Sequence, residues 1–132
     1  MANRIKIATI GAKAKTGNPG TGDPAVEAMM AHWRSRFDQV WPDQPDIVVV
    51  PECCDRYPAH SPEERRTYYR HRGDSIRDFF AQMANEHSCY ITYPAVREMS
   101  DGSWRNSLQM LDRNGDLIGV YDKNFPVITE TT

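Results

Sequence analysis

Residues 4–10 read R-I-K-I-A-T-I, with apolar side chains at alternate positions, the period of a strand. Residues 11–24 are rich in Gly, Lys, Thr and Pro and must form a loop. Asp23-Pro24 marks a helix start, with an acceptor side chain at the N-cap and proline in the first turn. Val26, Met29, Met30, Trp33, Phe37 and Val40 then recur at helical spacing and give one apolar stripe through Val40. Residues 46–50, D-I-V-V-V, form a continuous β-branched run that suits a strand covered on both faces. That run stops at Pro51-Glu52.

Residues 56–72 are polar and arginine-rich, with a short helix expected over 62–70. Asp74-Ser75 opens another helix, in which Ser75 and Asp78 have capping-box spacing. Ile76, Phe79, Phe80, Met83 and Ala84 supply its buried face. A third strand is expected over 89–96, closed by Pro94. Two more, 104–111 and 117–121, flank residues 112–116, where the Asn114-Gly115 step signals a hairpin. The order β-α-β-α-β-β-β describes a mixed α/β layer arrangement. No repeat, low-complexity tract or dividing linker interrupts it.

Composition narrows the partners more than the fold. At 132 residues the chain can bury a real core as one domain. Sixteen basic residues against eighteen acidic ones give a net charge of −2, which leaves no strong electrostatic case for nucleic acid or an anionic membrane. No apolar run approaches the ~20 residues of a bilayer span, and the N-terminus lacks the apolar core of a signal peptide. Three cysteines, Cys53, Cys54 and Cys89, have no framework spacing, so buried thiols in a reducing, cytoplasmic setting are expected.

Two segments could carry chemistry. Residues 46–52 deliver the Glu52 carboxylate just past the end of a buried strand, where α/β sheets place their ligands. Partial desolvation there would suit a carboxylate to proton transfer, while the plainer reading is a surface turn. Residues 121–126, Y-D-K-N-F-P, place Lys123 at another strand end. A lysine so placed can stabilise an oxyanion as a compact point charge, or simply be a solvated terminus. Other patterns are weaker. Residues 13–23 lack the order of a phosphate loop. His60, His71, His87 and the cysteines have no metal-ligand spacing, so no metal is expected. Residues 56–77 hold six arginines against three acids and read as a solvated helical face, with Arg70 and Asp74 paired across one turn.

Together, Pro51-Glu52, Gly73-Asp74, Asn106-Ser107, the 112–119 hairpin and Tyr121-Asp122-Lys123 resemble the nitrilase, or carbon–nitrogen hydrolase, superfamily. Pro126 and Glu130 resemble its K-x-x-P-x-x-x-E continuation. The resemblance runs over essentially the whole chain. It implies the N-terminal part of an α-β-β-α sandwich, a mixed sheet with helices on one face, and a Glu-Lys-Cys triad. Glu52 would be the general base and Lys123 the stabiliser of the tetrahedral intermediate, with Glu130 as the second glutamate that positions lysine and substrate. A thiolate would form a covalent thioester or thioimidate on a small amide, nitrile or carbamoyl-amine, with no metal or organic cofactor.

The family's nucleophilic cysteine follows the lysine by some tens of residues, beyond Thr132. Cys53 and Cys54 adjoin the base too closely to share its approach line, and Cys89 begins a different strand. Residues 1–132 are therefore expected to be the N-terminal portion of one hydrolase domain, inactive alone. Association with a C-terminal half or as a homo-oligomer is expected. The rival expectation is a non-catalytic α/β module that pairs through an exposed sheet.

Overall fold

The structure, a computed structural model, describes residues 3–127 and 129. Among these, five strands form one sheet in the order β1-β2-β3-β4-β5: β1 (Ile7–Thr9), β2 (Ile47–Val49), β3 (Tyr90–Glu98), β4 (Trp104–Leu111) and β5 (Leu117–Asp122). The first three run parallel and the last two antiparallel. Helix α1 (Asp23–Phe37) links β1 to β2; α2 (Pro62–Arg72) and α3 (Ser75–His87) link β2 to β3. Both crossovers step the same way along the sheet, so right-handed connections lay the helices on one face.

Register separates the two faces. The row Ala8–Val48–Ile91–Leu111 faces the helices, and Val48, Ile91 and Leu111 are buried. Tyr93, two residues on, packs edge-on against Phe80 of α3, and Phe80 meets Trp33 and Phe37 of α1. The opposite row Ile7–Ile47–Tyr90 faces away, leaving Ile7 64% exposed. This corrects two expectations. Only Ile7–Thr9 of residues 4–10 is strand, with Ile5 and Ile7 on the open face. β2 is buried against helices on one face only.

The helix signals hold in part. All five apolar residues expected to bury α3 do so. α1 ends at Phe37, so Val40 lies beyond it, half-buried. Its N-cap is Gly22; Asp23 is the first helical residue and pairs with His71 at 2.6 Å. The capping box sits at α2, where the Ser61 hydroxyl accepts from the Glu64 amide and the Glu64 carboxylate accepts from the Ser61 amide. At α3 the N-cap is Asp74, without a side-chain cap. Arg70 forks onto Glu98 of β3 instead of reaching Asp74, which pairs with Arg77.

Pro94 lies inside β3 rather than closing it. The Pro94 carbonyl accepts the Cys54 amide, on the side facing away from β4 and past the last β2 pairing at Ile91. The ring nitrogen of an extended residue points the same way as its carbonyl, so no ladder bond is lost.

The β4–β5 hairpin turns as expected: Asp112 Oδ1 accepts from the amides of Asn114 and Asp116, and Gly115 takes φ +81°. A side chain at Gly115 would lie 2.7 Å from the Ala81 carbonyl oxygen, so glycine is required for this turn to seat against α3. Next to the turn, Leu111 pairs with Leu117 but Met110 pairs with Gly119, which makes Ile118 the extra residue of a β-bulge.

The expected solvated face over residues 56–77 is also corrected. Arg72 and Arg65 are buried, and Arg72 lies in the core against Asp55 and Tyr93. No helix among the described residues is long and apolar enough to cross a membrane.

Candidate active site

β2 ends where its apolar run meets Pro51, and the chain then turns sharply through residues 52–55. Cys53 takes the left-handed conformation at φ +51°, sparsely populated for a residue with a side chain. The turn is secured by the Cys54 amide bond to Pro94 and by the Trp33 indole N–H, which donates to the Cys54 carbonyl at 2.9 Å. One residue later, the Asp55 carboxylate is fully buried. It meets Arg72 Nη1 at 3.0 Å and accepts the Tyr93 hydroxyl at 2.5 Å. Arg72 also donates to that hydroxyl, at 2.6 Å, and to the Val96 carbonyl. The turn after β2 is thus tied to α1, α2 and β3.

This anchoring presents Glu52 on the open face, where Lys123 reaches it from the end of β5. Lys123 Nζ donates to Glu52 Oε1 at 2.9 Å. Asn106 of β4 donates through Nδ2 to the same oxygen at 2.7 Å, and its own carbonyl accepts the Lys123 amide at 2.8 Å. The three side chains border a cavity of about 210 Å³, which Val50, Pro94, Leu108 and Tyr121 also line. Its walls are mainly apolar and its polar groups converge, the usual build of a small-molecule site.

Behind the sheet, on the helix side, the neighbouring residues form a second cluster. Ser107 donates to Asp122 at 2.6 Å, while Arg97 donates to Ser107 at 2.8 Å and to Asp122 at 3.0 Å. The Ser107 hydroxyl, followed by the Arg97 guanidinium, holds the Asp122 carboxyl below its ordinary range. This cluster joins β3, β4 and β5 directly behind Asn106 and Lys123.

The three cysteines are thiols. Burial pushes the Cys54 thiol well up, and the Cys89 thiol up to about 11. Both are therefore poor sources of thiolate. Cys53 is half-buried, and its sulfur lies 4.0 Å from Asn106 Oδ1. Glu130 lies outside the described residues.

Two of the three expected site residues, Glu52 and Lys123, therefore meet in space from positions 71 apart in sequence. Asn106 had been singled out only as part of a motif; its buried amide is the site residue that pattern reading missed. The usable signal was its neighbour: Asn106 and Ser107 alternate on one strand, so one must face the open side with the end of β5. No group of three or more His, Cys, Asp or Glu capable of holding a metal occurs among the described residues.

A carboxylate and an ammonium held together by strand ends make a candidate acid–base site on an α/β scaffold. The chain belongs to the carbon-nitrogen hydrolase family, whose model matches residues 6–131. The fold is similar to that of a carbon-nitrogen hydrolase from Helicobacter pylori G27, at 14% identity and a TM-score of 0.74, covering 96% of this chain and 41% of that one. It is also similar to an N-terminal amidase in complex with an Asn-Glu peptide (22% identity, TM-score 0.74, 96% and 29% covered). The C. elegans NitFhit protein matches at 14% identity and a TM-score of 0.73, with 93% and 28% covered. This chain thus spans less than half the length of these solved structures. No curated protein matches it in sequence.

Proposed function

We propose that residues 1–132 are the N-terminal portion of a hydrolase that cleaves a carbon–nitrogen bond in a small amide, nitrile or carbamoyl-amine. In this reading Glu52 is the general base and Lys123 the electrostatic stabiliser. The observation that carries it is the 2.9 Å contact between Lys123 Nζ and Glu52 Oε1 at the mouth of the cavity.

A cysteine thiol supplied from outside these residues would give its proton to the Glu52 carboxylate, and the thiolate would attack the substrate carbon. The electron pair displaced from the carbon–heteroatom π bond would collect on that heteroatom, where the fixed Lys123 ammonium offsets the charge. For an amide, collapse returns the proton to the departing amine and leaves a thioester, which water hydrolyses to the acid. Glu130 would position Lys123 and substrate, the role that family resemblance gives it. No metal or organic cofactor is needed at any step.

A second element concerns the open sheet face, where Ile5, Ile7 and Tyr121 are exposed. So much exposed apolar surface favours cover by another layer, either a C-terminal half or a second copy.

In the full chain, Glu52→Gln and Lys123→Ala should each abolish turnover of short amides and nitriles while the folded structure survives. Near-parental turnover in either variant would overturn the assignment.

A further inference from the structure

We infer that Asn106 is the positioning residue of this site, the group that holds the Glu52 carboxylate in one orientation toward Lys123; the inference rests on the reading of Glu52 and Lys123 as base and stabiliser. Glu52 is half-exposed, with 53% of its side chain open to solvent. Water could solvate such a carboxylate without help from the protein. An exposed glutamate left to itself samples several rotamers, and fixing one costs entropy.

Asn106 supplies the restraint. The residue is 4% exposed and sits on β4 between β3 and β5, where it cannot wander. The orientation of its amide group is set at both ends, with Nδ2 on Glu52 Oε1 and Oδ1 toward the Cys53 thiol. The same residue's carbonyl takes the Lys123 amide, so one residue fixes the base by its side chain and the lysine by its backbone. From behind, the Arg97–Ser107–Asp122 cluster holds the strands that carry them.

The chemistry of an amide suits this task. Asparagine donates to a carboxylate without adding charge, so it orients Glu52 and leaves the charge balance of the pair to Lys123. Among the described residues both donors take Oε1, which keeps the lone pairs of Oε2 for the incoming proton. Aspartate at position 106 would place a second carboxylate against the first, and leucine would offer no donor.

The test has two readouts. In the 132-residue chain, three-bond couplings report the rotamers of Glu52; one rotamer is expected in the parent, and averaging over two or more in Asn106→Asp and Asn106→Leu. Asn106→Asp is close to isosteric, and its thermal midpoint shows whether the fold is kept. In the full chain with a short amide substrate, kcat should fall about 10- to 100-fold in both variants, the cost of a misplaced reacting group, with KM changed less than twofold. A single Glu52 rotamer in both variants, or parental kcat in both, overturns the proposal. Glu52→Gln separates the two readings. If it turns over like the parent, the base assignment falls and the rotamer measurement alone decides the role of Asn106.

Discussion

Asp122 shows how a single side chain links stability to acidity. Its carboxyl is held below the ordinary range by the Ser107 hydroxyl and the Arg97 guanidinium. The folded state therefore binds this proton less readily than the unfolded chain. The resulting stability is fully present above the unfolded value of about 3.9 and is lost as pH falls through the lower folded value. Ser107→Ala should weaken this dependence: urea midpoints for parent and variant should converge as pH drops below about 4 and differ most near neutrality. Equal midpoints at neutral pH would show that the hydroxyl contributes nothing. Glu52 and Lys123 were legible as residues because each ends an apolar run. Asn106 was not, since its role depends on which residue of β5 lies beside it, and pairing register is not written in local pattern.

At the scale of elements, the amphipathic pattern of α3 and the Asn114-Gly115 turn were legible because each is decided by neighbours within a few residues. The α2 segment was not. A sequence rich in arginine reads as a solvent face because buried charge is rare. Arg72 instead crosses into the core and meets Asp55, 17 positions earlier, together with Tyr93. Pro94 misled for a similar reason, since the side its ring nitrogen faces depends on where β2 ends. The Asp55–Arg72 pair gives no assurance of net stability, because desolvation offsets much of the attraction. Its removal by halves is another matter. Arg72→Met should cost about 3–5 kcal/mol in urea unfolding, because Asp55 would stay buried without its counter-charge. A loss below about 1 kcal/mol would mean that the pair behaves as a solvated surface ion pair rather than a buried one.

For the molecule as a whole, the described residues form a sheet with one face under α1, α2 and α3 and another carrying exposed isoleucine and tyrosine side chains. The site opens on that second face, so whatever covers the sheet also shapes the cavity around Glu52 and Lys123. The 132-residue chain alone should therefore associate. Sedimentation velocity across a concentration series should show dimers or larger species, which aspartate at both Ile7 and Tyr121 should reduce. A monomer at every concentration would mean that this face is stable in water as it stands. Alternation along the first strand announced that one face is apolar, but it could not say which face the helices would choose.

The bulge at Ile118 has a consequence for the sign of charge in the site. Were β5 to pair without that extra residue, Asp122 would come opposite Asn106, and Lys123 would pass to the helix side. A carboxylate would then confront Glu52, and a lysine would press into the place now held by the Ser107–Arg97 cluster. The polarity of the cavity is thus a matter of odd and even along one short strand. An apolar residue with no polar atom in its side chain, well away from Glu52 and Lys123, decides whether the site presents an attraction or a repulsion.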